Sequence, residues 1–236
     1  MSYEALARVY DGFFERDYDE KILRRYRRIL TDADAIGGRI LDMGCGTGRL
    51  AIAFAKGGAT VCGVDPDEAM LACAKEKGIG LPIEWVCGTL PQIDGTDCFD
   101  AITAGLDVVN HITEQEVLQE SFCAAHRLLT KGGCLVFDVN TEKKFREVYG
   151  QNAYVFRALG AFAAWENDYD EDEEICRFTV DVFTQDGERY KRNTDIIFER
   201  LYRDMDLRRM LKSAGFRMVL QQGMDHGTRH LYIAKK

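Results

Sequence analysis

The chain has 236 residues, of which 46% are hydrophobic, and its 31 Lys and Arg against 39 Asp and Glu give a net charge of −8. This composition excludes a disordered chain, and no apolar run reaches the roughly 18–20 residues that a membrane span needs. The acidic balance disfavours nucleic acid or an anionic membrane as the main partner. The N-terminus lacks the basic and apolar pattern of a signal peptide, so we expect a cytoplasmic protein.

Helix and strand patterns alternate along the first part of the chain. Apolar residues at helical spacing predict helices at residues 19–30, 49–56, 66–77 and 114–129. Short apolar runs predict buried strands at residues 39–42, 59–64, 83–87, 99–103 and 134–139. Strands that alternate with helices form parallel sheets covered on both faces, so we predict an α/β, doubly wound fold with a mostly parallel, Rossmann-like sheet.

The pattern changes after Asn140. From about residue 154 to residue 203, apolar and polar side chains alternate as in strands, and Asp186-Gly187 is a hairpin turn signal. We therefore predict an inserted antiparallel β-layer of three strands. Beyond it, a helix at 206–214 and a terminal β-hairpin resume the first pattern.

A glycine-rich turn joins the first strand to the next helix. Residues 42–48 read Asp-Met-Gly-Cys-Gly-Thr-Gly, and glycines in this position let the backbone pass close to a ligand. A P-loop would need Gly-Lys-Ser/Thr at its end, and a dinucleotide fingerprint would need glycine at Arg49, so both nucleotide sites are disfavoured. The carboxylate of Asp42 suits a cationic amine better than a phosphate, and an amino-acid-bearing nucleoside carries such an amine.

A second acid, Asp65, ends the second strand. In a doubly wound fold this is where an acid binds the two ribose hydroxyls of a nucleoside. An acid just before Pro66 is also a plain helix N-cap, so the position alone leaves two interpretations. The glycine loop beside it favours the ribose-binding one.

These motifs, in this order, resemble the class I S-adenosylmethionine-dependent methyltransferases. The matching stretches lie at residues 40–48, 64–65, 99–102, 129–133 and 213–216. The resemblance implies S-adenosyl-L-methionine as the cofactor and S-adenosyl-L-homocysteine as the product. It also implies a seven-stranded sheet with one antiparallel edge strand.

The N-terminal segment is similar to that of small-molecule N-methyltransferases, including those that act on amino sugars and glycine. Its pattern is Tyr3-x-x-x-Ala7-x-x-Tyr10-Asp11, followed by Asp17-Tyr18, and the inserted β-layer is a further similarity. The resemblance places Tyr10 near the sulfonium methyl group and His111 near the methyl acceptor. We therefore name Tyr10 and His111 as catalytic candidates, with His111 either a general base or a residue that only orients the substrate.

The same resemblance implies a set of cofactor-binding residues in the N-terminal segment, in the glycine loop and after the strand ends: Tyr10, Tyr18, Asp42, Gly44, Cys45, Gly46, Gly48, Asp65, Pro66, Met70, Gly88, Thr89, Leu90, Ala104 and Gly105. One position departs from the family pattern. Cys87-Gly88-Thr89 stands where Gly-Asp is common, so we expect adenine recognition to rely on backbone groups of Thr89 and Leu90.

The resemblance divides the chain into two predicted units. Residues 1–144 and 205–236 form the cofactor-binding core, in which residues 1–35 are an N-terminal helical lid. Residues 145–204 form the antiparallel insertion over the acceptor side, which also offers a surface for a homodimer. No two of the eight cysteines have zinc-ligand spacing, so we predict no metal site.

The sequence thus predicts a methyltransferase that moves a methyl group from S-adenosyl-L-methionine to an amine or hydroxyl of a small molecule. We expect this acceptor to be the partner, with no nucleic acid and no membrane. Two alternatives remain. One is a cofactor-binding regulatory or interaction protein that has lost catalysis, and the other is a tRNA or protein methyltransferase.

Overall fold

A computed structural model describes residues 6–13, 16–158 and 160–236, with the side chains of 16–19, 158 and 218 outside the description. Its α-helices are α1 (Tyr10–Phe13), α2 (Arg16–Asp32), α3 (Arg49–Lys56), α4 (Glu68–Lys77), α5 (Val108–His111), α6 (Gln115–Leu128) and α7 (Asp204–Ser213). Its strands are β1 (Arg39–Met43), β2 (Thr60–Asp65), β3 (Ile83–Cys87), β4 (Phe99–Ala104), β5 (Leu129–Asn140), β6 (Ala153–Ala158), β7 (Ala161–Asp170), β8 (Ile175–Asp186), β9 (Arg189–Arg200), β10 (Met218–Met224) and β11 (Arg229–Lys235). None of the helices in these ranges is long and apolar enough to cross a membrane.

Seven strands form the main sheet, in the order β10-β11-β5-β4-β1-β2-β3. Strands β1 to β5 pair in parallel, which confirms the doubly wound α/β prediction. The antiparallel strand is β11, which lies between β5 and β10, so its predicted place at the sheet edge was wrong. The terminal hairpin explains this order, because its second strand pairs with β5 and leaves its first strand outside.

A second sheet has the order β6-β7-β8-β9, and all its pairs are antiparallel. It holds four strands, not the predicted three. The prediction missed one strand because β6 is short and its side chains are mostly exposed, so it carries no clear apolar alternation. The inner face of this β-layer packs around Phe145, Phe178 and Val180, and Leu6 and Val9 of the N-terminal segment join that cluster.

Helix α2 belongs to the core of the main sheet. Ile22, Tyr26 and Leu30 lie on one face of the helix, at most 1% exposed, and pack with β-strand residues such as Ile40 and Val136. The predicted lid of residues 1–35 is therefore too long, because an element buried this deeply cannot open without exposing the core. Only the segment that contains α1 lies against the β-layer instead.

The buried carboxylate of Asp138, at the end of β5, ties several elements together. It accepts hydrogen bonds from the Tyr26 hydroxyl at 2.6 Å and from the backbone N–H groups of Leu106 and Asp107 at 2.9 and 3.1 Å. The Arg229 guanidinium of β11 donates to it as well, and donates to Asp107 at 2.7 Å. Leu106 and Asp107 both have positive φ, at 63° and 62°, which is a strained conformation for residues with side chains. The contacts to Asp138 hold this turn in place.

We expect Arg229→Met to destabilise the fold strongly. Arg229 is 2% exposed, and its loss would leave Asp138, which is fully buried, as a charge without its cation, and would remove the closest cation of the half-buried Asp107. Breaking a buried ion pair in this way costs about 3–5 kcal/mol, which urea denaturation followed by circular dichroism would measure.

Arg209→Met is the matched control for this experiment. Arg209 also pairs with an acid, Asp206, at 2.7 Å, but its side chain is 70% exposed. Surface pairs contribute about 0–1 kcal/mol, so the control should remain close to the parent protein. Equal losses in the two variants would contradict the role given to Arg229.

Candidate active site

The glycine loop between β1 and α3 has a backbone that only glycine adopts easily. Gly44, Gly46 and Gly48 have φ values of 63°, 52° and 83°. A Cβ at Gly44 would lie 2.5 Å from a methyl group of Val108, and one at Gly48 would lie 2.7 Å from the Trp85 ring. A Cβ at Gly46 would meet none of the described atoms within 4 Å. The loop is thus packed on two sides and open at Gly46.

Asp65 borders that open side. Its carboxylate accepts the Gly46 N–H at 2.8 Å and the Asp67 N–H at 2.9 Å, and the residue is 8% exposed. Burial raises the pKa of Asp65, while these two N–H groups oppose the rise. Asp67, not Asp65, caps α4, because its side chain accepts the Met70 N–H. The helix begins at Glu68, two residues after the predicted start at Pro66, and the helix-cap interpretation of Asp65 was wrong.

Asp42 is the second acid at the loop. It lies beneath the glycine turn at the end of β1, is 2% exposed, and accepts the Thr103 hydroxyl at 2.7 Å. Burial raises the pKa of Asp42 to about 7; the Thr103 hydrogen bond opposes the rise, and the nearby charge of Asp65 adds to it. A carboxylate in this environment is stabilised by a cation, so two buried acids beside an open glycine loop fit a ligand that carries an amine and hydroxyl donors.

The other predicted cofactor residues differ in how they are placed. Cys45, Met70 and Leu90 are buried beside the loop and the ends of the neighbouring strands, and burial raises the pKa of the Cys45 thiol. Both the N–H and the hydroxyl of Thr89 donate to the Gln92 side chain, at 2.7 and 3.1 Å. The Thr89 hydroxyl oxygen can still accept a hydrogen bond from an amine while it donates to Gln92, and the role of Thr89 in adenine binding stays a prediction. The predicted contact of Tyr18 falls on a side chain outside the described residues.

Pro66, Gly88, Ala104 and Gly105 lie at the carboxyl ends of β2, β3 and β4. The Gly88 N–H donates to the Asp65 carbonyl at 3.0 Å, which keeps the end of β3 beside that of β2. A Cβ at Gly105 would clash with a methyl group of Leu50, so a larger residue there would require the Leu50 side chain to move. These positions line the same edge of the sheet, and their contacts with a cofactor stay predictions.

A polar pocket lies beside the glycine loop, where α5 follows β4. Asp107, His111 and the β9 residue Glu199 bring their side-chain atoms within 4.8 Å of one another. His111 Nε2 is 3.6 Å from an Asp107 oxygen. Val108 of the same short helix packs against Gly44, so this polar pocket and the loop share a wall.

The surroundings of this pocket shift the pKa values of its two acids in opposite directions. Burial raises the pKa of Asp107, but Arg229 outweighs it, with help from His111 and Lys144, and the net pKa is lowered. Burial and the negative charge of Asp107 raise the pKa of Glu199. Burial lowers the pKa of His111, but the contact with Asp107 and the charge of Glu199 outweigh it, so the net pKa is raised.

Three such ligand atoms at this spacing also resemble a metal site. Arg229 already donates to Asp107, and the Lys144 ammonium is 4.0 Å from the same carboxylate. These positive charges oppose the binding of a further cation. We therefore keep the prediction that no metal binds.

The N-terminal segment lies against both the loop and the pocket. The Thr47 hydroxyl donates to Asp11 at 2.6 Å, and the Lys77 ammonium contacts the other oxygen of Asp11. Tyr10 is half-buried, and its hydroxyl pKa is raised by burial and by the charge of Asp107. The charge of Asp107 thus acts on both Tyr10 and His111, and the catalytic roles of these two residues stay predictions.

The sequence did not point to Asp107, Asp138, Glu199 or Arg229. Glu199 did leave a signal, because β9 buries alternate residues and acids occupy two of those inward positions, Asp195 and Glu199. A charged residue on the buried face of a strand needs a partner or a function.

Comparison with known proteins agrees with this geometry. A family model described as a methyltransferase domain matches residues 40–133. YqeM of Bacillus subtilis (strain 168), a methyltransferase by name alone, is 29% identical over 221 residues, which cover 92% of this chain and 87% of YqeM.

Solved structures share the whole fold. An S-adenosylmethionine-dependent methyltransferase from Clostridium acetobutylicum ATCC 824 has a TM-score of 0.82 and 25% identity, covering 99% of this chain and 95% of its own. CalS10, an amino pentose methyltransferase from Micromonospora echinaspora, has a TM-score of 0.76 and 21% identity, covering 97% and 94% of the two chains. The chain therefore contains a methyltransferase domain at residues 40–133 and has the Rossmann-like fold of the class I S-adenosylmethionine-dependent methyltransferases.

Proposed function

We propose that this protein transfers a methyl group from S-adenosyl-L-methionine to an amine or hydroxyl of a small molecule. The observation that carries the proposal is the junction of two sites: an open glycine loop with two buried acids, and a polar pocket against its wall. When bound, the cofactor supplies an electrophilic methyl group on a sulfonium. The protein contributes alignment and the exclusion of water.

Asp65 is proposed to bind the ribose hydroxyls, and Asp42 to attract the amine of the cofactor. Asp65 has both oxygens at the open side of the loop, where its two N–H partners leave further lone pairs for hydroxyl donors. The raised pKa of Asp42 means that a neighbouring cation stabilises its ionised form. Met70 and Leu90 are proposed to form the apolar wall beside the nucleoside.

Tyr10 and His111 are proposed to flank the methyl group that is transferred. Support comes from the charges around them, since Asp107 and Glu199 act on Tyr10 and His111 acts on Asp65. Asp11 fixes the N-terminal segment to the loop through Thr47 and Lys77, which suits a short lid over the site. The acceptor is proposed to be an amine in preference to a hydroxyl, because CalS10, which shares the fold, is an amino pentose methyltransferase.

The remaining parts of the proposal concern the molecule as a whole. The β-layer of residues 145–204 is proposed to cover the acceptor and to offer a dimer surface. A cytoplasmic location is proposed from the sequence. The fold of CalS10 is similar over nearly the whole chain, and its own substrate is an amino pentose, which supports an amino sugar as the first acceptor to try.

Isothermal titration calorimetry should detect one site per chain for S-adenosyl-L-homocysteine, and Asp65→Ala should weaken binding. Hydrogen bonds to a charged group contribute about 1.5–3 kcal/mol, which corresponds to a roughly 10- to 150-fold loss of affinity. Asp94→Ala removes an exposed acid after β3 and should leave affinity unchanged. Tighter binding of NAD than of S-adenosyl-L-homocysteine would overturn the cofactor assignment.

A turnover screen tests the reaction itself. The protein should form S-adenosyl-L-homocysteine with at least one member of a panel of amino sugars, other amines and phenols, with amines the best class. Binding of the cofactor without turnover of any small molecule would favour the non-catalytic alternative. Turnover of tRNA or of a protein substrate, with no small molecule methylated, would favour the tRNA or protein methyltransferase alternative.

The effect of His111→Ala distinguishes a base from an orienting group. Because Asp107 and Glu199 favour the protonated imidazole, we expect the variant to raise the KM for the acceptor more than it lowers kcat. His230→Ala, a histidine on β11, is the control and should change neither constant. A large fall in kcat at unchanged KM would assign the proton transfer to His111.

A further inference from the structure

Three acids lie close together where the main sheet meets the β-layer: Asp107, Asp138 and Glu199. Asp138 and Glu199 are buried and Asp107 is half-buried, and two of the three have a cation as a direct partner. Arg229 donates to both Asp138 and Asp107. Glu199 differs, because its hydrogen bonds within the described residues come from neutral donors. The Asn140 amide donates at 2.8 Å, and the Tyr149 hydroxyl lies 3.2 and 3.3 Å from the two oxygens.

The nearest ammonium group does not neutralise Glu199 directly. Lys144 Nζ donates to the Asn140 side-chain oxygen at 2.9 Å and is 4.0 Å from Asp107. Asn140 thus lies between the lysine and Glu199, so Glu199 accepts a hydrogen bond from a neutral amide and not from the ammonium group. An acid with neutral donors can accept a proton without breaking an ion pair.

Glu199 also lies where an acceptor would lose its proton. It is 5% exposed on the inward face of β9, and its carboxylate comes within 4.8 Å of Asp107 and His111 atoms. The β-layer therefore contributes one acid to the polar pocket. The other two side chains, Asp107 and His111, come from the turn and the short helix that follow β4 of the main sheet. A proton acceptor must come within hydrogen-bond reach of the reacting group, and this position meets that requirement for a substrate beside His111.

We propose that Glu199 is the proton acceptor of the methyl-transfer reaction, an inference that rests on the function proposed above. The acceptor nitrogen or oxygen forms a bond to the methyl carbon with its lone pair, while the C–S bond breaks and leaves its electron pair on sulfur. The N–H or O–H bond of the acceptor then breaks, and the proton forms an O–H bond with Glu199. His111, held by Asp107, keeps its own proton and donates to the substrate.

The electrostatic surroundings support this division. The titratable groups that act on or contact Glu199 come from several elements: Tyr10, Asp107, His111, Lys144, Tyr149 and Cys176. Burial and Asp107 raise the pKa of Glu199 above that of an ordinary glutamate, towards the neutral range in which a general base is effective. Two acids of one site whose pKa values are driven apart commonly take different roles.

The sign of the pH dependence follows from the raised pKa. Glu199 accepts a proton only when it is ionised, so kcat should fall as the pH is lowered through that pKa. The acidic limb of the profile should therefore lie above the range of about 4.3 that an unperturbed glutamate gives. Tyr149→Phe removes a donor to the ionised form, so it should move this limb to higher pH.

The test is Glu199→Gln, which keeps the shape and the acceptor oxygen for Asn140 but cannot take up a proton. With the acceptor found in the turnover screen, kcat should fall by about 10²–10⁴ and the acidic limb should disappear. Affinity for S-adenosyl-L-homocysteine should stay near the parent value. As the pH falls, the parent protein should show one more infrared carbonyl band of a buried protonated carboxyl than the variant, in addition to the band of Asp42 that both proteins share, with or without an acceptor.

Glu188→Gln is the matched control, since Glu188 is exposed in the β8–β9 hairpin and should retain parental kcat and pH profile. Parental kcat in Glu199→Gln would overturn the inference, and so would an equal loss of cofactor affinity, which would show a structural role. A parent protein that turns over no acceptor would instead overturn the proposed function on which the inference rests.

Discussion

The carboxylate of Asp138 accepts four hydrogen bonds from three other parts of the chain. The turn after β4 and the helix α5, which carries His111, depend on these bonds. Tyr26 reaches it from α2, Arg229 from β11, and the backbone of Leu106 and Asp107 from the turn after β4. That turn has two consecutive residues in a left-handed conformation, which the surrounding bonds stabilise. Because α5 begins there, the same bonds position His111 over the site and Val108 against the glycine loop.

The two sheets contribute different chemistry to one site. The main sheet supplies Asp42 and Asp65 at its strand ends, with a loop whose glycines allow a ligand to approach the backbone. The β-layer supplies Glu199, and the N-terminal segment lies against both through Tyr10 and Asp11. Asn140 joins them directly, because it is the last residue of β5 and donates to Glu199. Under the proposed function, changes in the β-layer would alter the acceptor chemistry while the glycine loop stays as it is.

Local patterns predicted much of this architecture, and long-range contacts account for what was missed. The loop at 42–48 and the ends of α3 were predicted because glycine spacing and apolar periodicity are local properties. The predicted start of α4 was two residues too early, because an acid stands on each side of Pro66 and the sequence does not show that Asp67 is the one that caps the helix. The network of Asp107, Asp138 and Arg229 joins positions 31 and 91 residues apart, and no short pattern marks such pairs.

The most direct measurement is a crystal structure of the protein with S-adenosyl-L-homocysteine. The ribose hydroxyls should bind Asp65, the amine should face Asp42, and the sulfur should point towards the pocket formed by Tyr10, His111 and Glu199. An adenosine bound away from Asp65 would contradict the proposed cofactor site. A sulfur directed away from Glu199, with the N-terminal segment ordered, would contradict the proposed coupling between the glycine loop and the β-layer.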